Sequence, residues 1–423
     1  MHLERTSSDT YEIADRPFVF SGSGAGSLSP FKSWSIHAVQ PTLGMQDALR
    51  GCYELLMRLK AMRMFAAVLF ALAVCSAAAQ SVPQQGPATY TVGTRPRAVA
   101  VGYLNADRHL DAAVANVGDG TVSILIGIPG GRFRPAALTV QAGREPAHLD
   151  TVDLDKDGDL DLVIANHETS RVTVLLNDGN AGFESAADSP MDTGARPHVH
   201  GVATGDFNGD GWPDVAVESA DTKEVRVLTG GPTGFAGTVV VPVRTMPYSR
   251  LGTGDLDGDG VPEVLVPGHK DNTVRIVHRA GREVVLAPTM IKLRDQPWMV
   301  VAADINGDKR KDIVVVHSNA VTVWFAGRDG FSARASAEMS VPGATEVATG
   351  DLDGDGFTDI AVGPWESDEI SVFTGPKLTA AKVRACERPV GLAIADLNGD
   401  GRGEILAACA TGSRLVVVGL TRK

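Results

Sequence analysis

Asp153-Leu-Asp-Lys-Asp-Gly-Asp-Leu-Asp161 carries oxygen-bearing side chains at its first, third, fifth and ninth positions, with a glycine at its sixth. Short loops wrap hard cations in this way. Alternate residues point inward, glycine permits the sharp turn, and a last carboxylate closes the shell. In this copy Asp153, Asp155, Asp157 and Asp161 are the expected ligands. The stretch returns with Asp206, Asn208, Asp210 and Asp214, then with Asp255, Asp257, Asp259 and Glu263. It returns again with Asp304, Asn306, Asp308 and Asp312, with Asp351, Asp353, Asp355 and Asp359, and with Asp396, Asn398, Asp400 and Glu404. An altered copy, Tyr103 to Asp111, precedes them all, so seven copies organise the chain.

An EF-hand requires a glutamate at position twelve and a flanking helix on each side. Position twelve is Ile164 counted from Asp153 and Val217 counted from Asp206. The loops run on into β-branched stretches such as Leu162-Val-Ile-Ala and Ile313-Val-Val-Val, which read as strands. These are cation loops between strands, and the EF-hand reading fails.

Loop starts at 103, 153, 206, 255, 304, 351 and 396 give a period near fifty residues with no helical pattern. That period points to a propeller or a β-solenoid. Within 193–240 one repeat shows four strands: Gly201-Val-Ala-Thr, Val215-Ala-Val-Glu, Val225-Arg-Val-Leu and Gly237-Thr-Val-Val-Val. The last repeat runs out at its third strand, Leu415-Val-Val-Val, while Ala88-Thr-Tyr-Thr-Val is an orphan strand ahead of the first repeat. If the orphan completes the seventh blade, the ring closes with no open sheet edge at the seam. The expected fold is all-β: a seven-bladed β-propeller with four antiparallel strands per blade, closed by the N-terminal strand.

The recurring phrase Gly-x-x-Pro, apolar strand, Asp-x-Asn-Gly-Asp-Gly-x-x-Asp, apolar strand, x-Val-x-Val-Leu-x-Gly resembles the FG-GAP or VCBS-type repeat over about residues 88–423. The resemblance implies a calcium-binding propeller of the kind found in integrin α-subunit heads and many bacterial exported proteins. It implies no ligand, because such propellers serve as adhesion heads, lectin-like modules and enzyme appendages. Loop by loop there are departures. Tyr103 and Arg108 replace the leading Asp and the glycine of the first copy, which is expected to bind no calcium. Lys309 replaces the glycine of the fifth, leaving about five to six structural Ca²⁺ sites.

The front of the chain reads differently. Met57-Arg-Leu-Lys-Ala-Met-Arg-Met is basic, Phe65 to Cys75 is apolar, and Ser-Ala-Ala-Ala-Gln80 is small. This is the pattern of a secretory signal over 57–79, followed by a linker over 80–87. Its apolar run is too short to span a bilayer. Residues 1–56 are then a mis-assigned start, with translation beginning at Met57, Met62 or Met64, or a disordered extension. Export to the periplasm or exterior is expected, with no membrane insertion after signal cleavage. Cys386 and Cys409 are the two cysteines beyond the signal. They fall at the start of the first and the end of the second strand of blade 7, within bridging reach, so a disulfide is expected. The net charge of −12 argues against a nucleic-acid partner.

All the cation loops join first to second strands and so lie on one face. The opposite face collects the turns entering each first strand and leaving each second strand. Arg97, His148, His198, His200, Tyr248, Arg250, Trp298 and Arg388 surround the entering prolines, and His167, His269, His317 and Trp365 follow the second strands. Six of the ten histidines land there, which marks the channel mouth as a ligand site. Trp and Tyr would be stacking platforms there, and Arg and His hydrogen-bond partners. That combination suits a sugar, and several histidines together could hold a transition metal.

No Gly-x-Ser-x-Gly elbow, His-Glu-x-x-His or phosphate-binding glycine loop is present. Glu218, with Glu346 and Glu387, is the acid nearest the histidine face. The leading expectation is a monomeric binding or adhesion module for an extracellular glycan or protein. The alternatives are a carbohydrate-active lyase or hydrolase and a purely structural module.

Overall fold

Each repeat offers a first strand of small and apolar residues, a tight acidic turn, and a second strand of Val, Ile, Leu and Ala. A strand apolar on both sides must be covered on both faces. In the computed structural model, blades 1 to 6 bury all six residues of their second strands, Asp111–Asn116 and Asp161–Asn166 among them. The neighbouring blades supply the cover. The structure describes residues 87–420 apart from 136, 197, 198 and 329, together with the strand pair Phe18–Val19 and His37–Ala38. The remainder of 1–56, the expected signal, the linker through 86, and His198 lie outside the described residues.

Blade 1 is Pro96–Gly102, Asp111–Asn116, Thr121–Leu125 and Leu138–Gln141. Blade 3 is Val202–Gly205, Asp214–Ser219, Glu224–Thr229 and Gly237–Pro242. Blades 4, 5 and 6 repeat this four-stranded meander from Gly252, Pro297 and Ala344. Blade 2, from Pro146, differs in its fourth strand, which is broken into Phe183–Ser185 and Met191–Asp192, both paired with Arg171–Asn177. Seven hydrophobic clusters fill the junctions between successive blades.

Blade 7 takes its first three strands from Pro389–Ala395, Glu404–Cys409 and Arg414–Val418 and its fourth from Ala88–Thr91. The closing register pairs Ala88 with Val417 and Thr91 with Arg414. The orphan strand therefore closes the ring, as its sequence implied. Tyr90 and Val92 are buried in the cluster joining blades 7 and 1. Cys386 and Cys409 are bonded, with an S–S distance of 2.07 Å and Cα atoms 6.0 Å apart.

The first strands open with a repeated irregularity. Register shifts follow Pro96, Pro146, Pro297, Ala344 and Pro389, so one extra residue bulges in each of five blades. A bulge bends the strand and re-aims a side chain. The residue so displaced is Arg97, Ala147, Trp298, Thr345 or Val390. First strands also crowd the axis: a Cβ added at Gly391 would meet the Arg97 carbonyl oxygen at 2.6 Å.

Candidate functional site

Each acidic loop is wound by its own carboxylates. In the loop from Asp206, the leading Asp accepts the N–H groups of Gly209 at 2.7 Å and Gly211 at 2.8 Å, and Asn208 accepts that of Asp210 at 2.7 Å. The same winding recurs from Asp255, Asp304, Asp351 and Asp396. Position six is left-handed in every copy: glycine in five, Arg108 and Lys309 in the other two with φ of 66° and 69°. Lys309 therefore occupies the turn without changing it. In the other six loops, though not in the first, position four is left-handed too, with Gly209, Gly258, Gly307, Gly354 and Gly399 there and Lys156 in the second loop.

The ninth-position acid has a second task. Asp161 accepts the N–H of Leu154 and of Asn177, both at 2.9 Å, and so ties the loop to the end of the third strand. Asp111, Asp214, Asp312 and Asp359 do the same. Burial pushes Asp161, Asp214 and Asp359 up to about 6 and Glu263 and Glu404 up to about 7. An adjacent cation would restore their charged forms.

The donor sets fit a hard cation. Oxygens of Asp153, Asp155 and Asp161 lie within 4.8 Å of one another, as do those of Asp255, Asp257 and Asp259, and of Asp351, Asp353 and Asp355. Burial, and then the neighbouring carboxylates, raise the pKa values of Asp155 and Asp353. Basic side chains compete in two places: Arg279 Nη2 donates to Asp259 at 2.8 Å, and Arg310 Nη1 to Asp308 at 3.3 Å. The first loop is held by protein instead. Asn105 Nδ2 donates to Asp111 at 3.0 Å, and the Leu104 carbonyl accepts the Ala181 N–H at 2.9 Å and Asn177 Nδ2 at 3.0 Å.

On the opposite face a cavity of about 710 Å³ opens on the axis, and every blade lines it. One register supplies a residue from each. Six positions before each loop start stand Arg97, Ala147, His200, Ser249, Trp298, Thr345 and Val390, and all seven line the cavity. In five blades this is the bulged residue. One position later, Arg250, Met299 and Glu346 also line it.

Of the residues read from sequence as ligand-binding, His167, His200, Tyr248, Arg250, Trp298 and Trp365 meet at this cavity. His269 packs against that wall, 5.1 Å from Tyr248 and 4.7 Å from Trp298, with Nδ1 3.3 Å from the Pro297 carbonyl. His148 is not a lining residue. Its Nδ1 accepts the Val202 N–H at 3.2 Å, and burial, followed by the charge of Arg250, drives its pKa well below the ordinary value. His317 does not line the cavity either. It pairs with Pro297 as the last residue of its strand, is buried at 4 %, and contacts Thr322 Oγ1 through Nε2 at 2.8 Å. The next residue, Ser318, faces the other way and accepts a hydrogen bond from Trp298 Nε1 at 2.8 Å.

The rings form an arc. His167 and His200 lie 4.9 Å apart, His200 and Tyr248 4.2 Å, and Tyr248 and Trp298 6.4 Å. Behind His200 sits the fully buried Glu218, whose Oε1 accepts the His200 backbone N–H at 2.6 Å and stands 2.9 Å from Nδ1. With a carboxylate as acceptor, Nδ1 carries the proton. Glu346 pairs with Arg250, while Glu387 is exposed and does not line the cavity.

Sequence reading missed Arg95 and Glu145 at the cavity wall. Both directly precede an entering proline, as does Arg388, and all three are left-handed with φ of 50°, 51° and 56°. Their carbonyls accept the N–H of the residue that follows the second strand, Val117, His167 and Ala410. In blades 1, 2 and 7 the residue before the entering proline was the available signal.

The FG-GAP-like repeat profile matches residues 103–164, 153–217, 255–315 and 304–362, and the FG-GAP repeat profile matches 199–241. No curated protein sequence matches this chain significantly. Among solved structures, BBS1N in complex with ARL6DN is similar with a TM-score of 0.56 at 14 % identity, over 80 % of this chain and 97 % of that one. A streptogramin B lyase gives 0.54 at 14 % identity, over 79 % of this chain and 97 % of that one. The Myceliophteria thermophila Cps50 (Swd1) β-propeller domain gives 0.54 at 12 % identity, over 79 % of this chain and 100 % of that domain. At these identities the likeness is one of fold. The repeat matches cover more than half of the sequence, and together with the acidic loops and the closed ring of seven blades they establish that the chain belongs to the FG-GAP repeat family.

Proposed function

We propose that this protein is an exported, calcium-stabilised propeller that binds an extracellular glycan or protein through the axial cavity, on the face opposite its cation loops. The observation that carries the reading is the lining register: seven blades each turn one residue, Arg97 through Val390, into one cavity. Five of those seven are re-aimed by a bulge, which a merely structural channel has no need of. The basic, apolar and small-residue sequence of 57–79 supports export. Calcium, when bound in five to six loops, supplies charge compensation for the carboxylates and ties first strands to second.

The test is binding of the purified protein to a panel of insoluble polysaccharides and extracellular proteins in millimolar calcium, with Tyr248→Ala and Trp298→Ala beside the parent. Retention that both variants lose supports the reading; retention indifferent to both rejects the cavity as the site.

A second reading, a carbohydrate-active lyase or hydrolase, is favoured by the His200–Glu218 contact. A buried carboxylate that holds an imidazole Nδ1–H at 2.9 Å is an arrangement suited to a general base. Release of soluble sugar that is lost in His200→Asn would support it.

A further inference from the structure

Resting on the reading of the axial cavity as a ligand site, we propose that its ligand is an acidic saccharide. A uronate carboxylate would be held by Arg97 and Arg388 above Trp365, with the sugar ring lying along the arc of His200, Tyr248 and Trp298.

The cavity is bipolar. Arg95, Arg97 and Arg388, from blades 1 and 7, form one wall with Trp365, and the acids lining the cavity are Glu145 and Glu346. Glu346 is already engaged, because Arg250 Nη1 donates to it at 2.6 Å. Arg97 comes no closer to that carboxylate than 3.9 Å and keeps its side chain 39 % exposed. Among the described residues no acid stands within salt-bridge distance of Arg95 or Arg388. Three arginines thus face one glutamate in a protein whose net charge is −12.

Arg388 lies 4.3 Å and Arg97 5.9 Å from the Trp365 ring centroid, so two like charges converge on one aromatic ring. Trp365 is also the most exposed tryptophan among the described residues, at 38 %. A guanidinium drawn to the face of a tryptophan keeps its N–H groups for other partners, and both arginines line the cavity. Two guanidiniums held this way suit a planar carboxylate, which accepts paired N–H bonds and relieves their mutual repulsion. The field of Arg97 also reaches the other wall. After burial it is the cause that lowers the pKa of His200, to about 4, and it contributes at His148. The His200 imidazole is neutral at pH 7, which suits it to sugar hydroxyls. The cavity volume of about 710 Å³ lies within the range of ligand pockets and is open enough for a short chain.

The experiment titrates the purified protein, in low salt with calcium at pH 7, with short oligomers of polygalacturonate, polymannuronate and glucuronan. Each is run beside its methyl ester, and neutral and sulfated oligosaccharides complete the set. Calorimetry and tryptophan fluorescence are the readouts. The expected result is that one acid form binds and its ester binds at least about 10-fold more weakly. Arg97→Ala and Arg388→Ala should each weaken binding by about 10- to 100-fold, the scale of a lost charge-assisted hydrogen bond. Arg388→Lys, which keeps the charge and loses the fork, should fall between. Binding of ester or neutral sugar that is lost in Tyr248→Ala but unchanged in both arginine variants would overturn the acidic ligand and leave the cavity reading standing. Preference for the sulfated sugars over every uronate would also overturn it. Binding of no member of the set overturns the proposal, and if the broader panel is silent as well, the cavity reading falls with it.

Discussion

Arg250 Nη1 and Glu346 Oε2 stand 2.6 Å apart, joining blade 4 to blade 6 across the width of blade 5. Both side chains are almost wholly buried, at 9 % and 4 % exposure. Arg250 also donates from Nη2 to the Arg97 carbonyl of blade 1 at 3.3 Å. The pair therefore fastens three blades at the floor of the cavity. Removing one partner strands a buried charge, so Glu346→Ala should destabilise by about 3–5 kcal/mol in denaturant unfolding. The double variant Arg250→Met/Glu346→Leu should cost clearly less than the sum of its parts. Additive losses would show that the two groups do not act as a pair.

Acids within one loop should separate into two classes. Asp351, Asp353 and Asp355 face one another and accept only exposed backbone N–H groups, whereas those held by Asp111 and Asp359 are buried. Asp353→Ala should lower the Tm in calcium and change little in chelator. Asp111→Ala, in the loop without a leading acid, should cost about 2–4 kcal/mol in either condition, because two buried N–H groups lose their acceptor. Chelation of the parent should itself lower the Tm. At calcium 100-fold above its dissociation constant a site contributes about 2.7 kcal/mol. A melt unchanged by excess chelator counts against metal in these loops.

Acid should weaken the fold through its buried imidazoles. His317 contacts the Asp295 carbonyl through Nδ1 and Thr322 through Nε2, and burial lowers its pKa below the ordinary 6.5. The unfolded chain then takes up the proton more readily than the native one. The stabilisation is present above pH 6.5 and is lost as the pH falls from there toward the native value, at up to about 1.4 kcal/mol per pH unit. His317→Gln should flatten the fall in stability between pH 6.5 and 5. An unaltered slope would show that His317 titrates alike in both states.

The Cys386–Cys409 bridge closes a span of 23 residues, for which chain entropy gives about 3 kcal/mol. Cys386→Ser/Cys409→Ser should be less stable by that order. Because Arg388 lies inside the bridged span, the variant should also lose affinity at the cavity. Two reactive thiols in the intact, unreduced protein would contradict the bond.

The repeat could be read in the sequence because it is written in oxygen positions and in a fifty-residue period, both insensitive to a slip of one residue. The site is not so forgiving. His317 and Ser318 are neighbours, yet strand alternation buries one and turns the other to Trp298. Counting back from the loops rather than forward from the prolines would have found Ser249 and Thr345, since blades 4 and 6 carry extra residues between proline and loop, while Ala147 and Val390 follow their prolines directly. Those residues are small and chemically plain, so a search for histidines and aromatics passes over them. Arg279 carries no sequence mark at all: it reaches Asp259 from the third strand, twenty residues further on, through a packing geometry that no local pattern encodes.

Ala88–Thr91 is paired with residues more than three hundred positions later in the chain. During synthesis at about 5–20 residues per second, that strand waits roughly a quarter-minute to a minute for its partner. Until then the first blade has no neighbour on one side, and the apolar residues that will seal it, Tyr90 and Val92 among them, have nothing to cover them. The seam is thus a clock as well as a fastening: blades can form in order, but the circle is completed by the newest residues meeting the oldest.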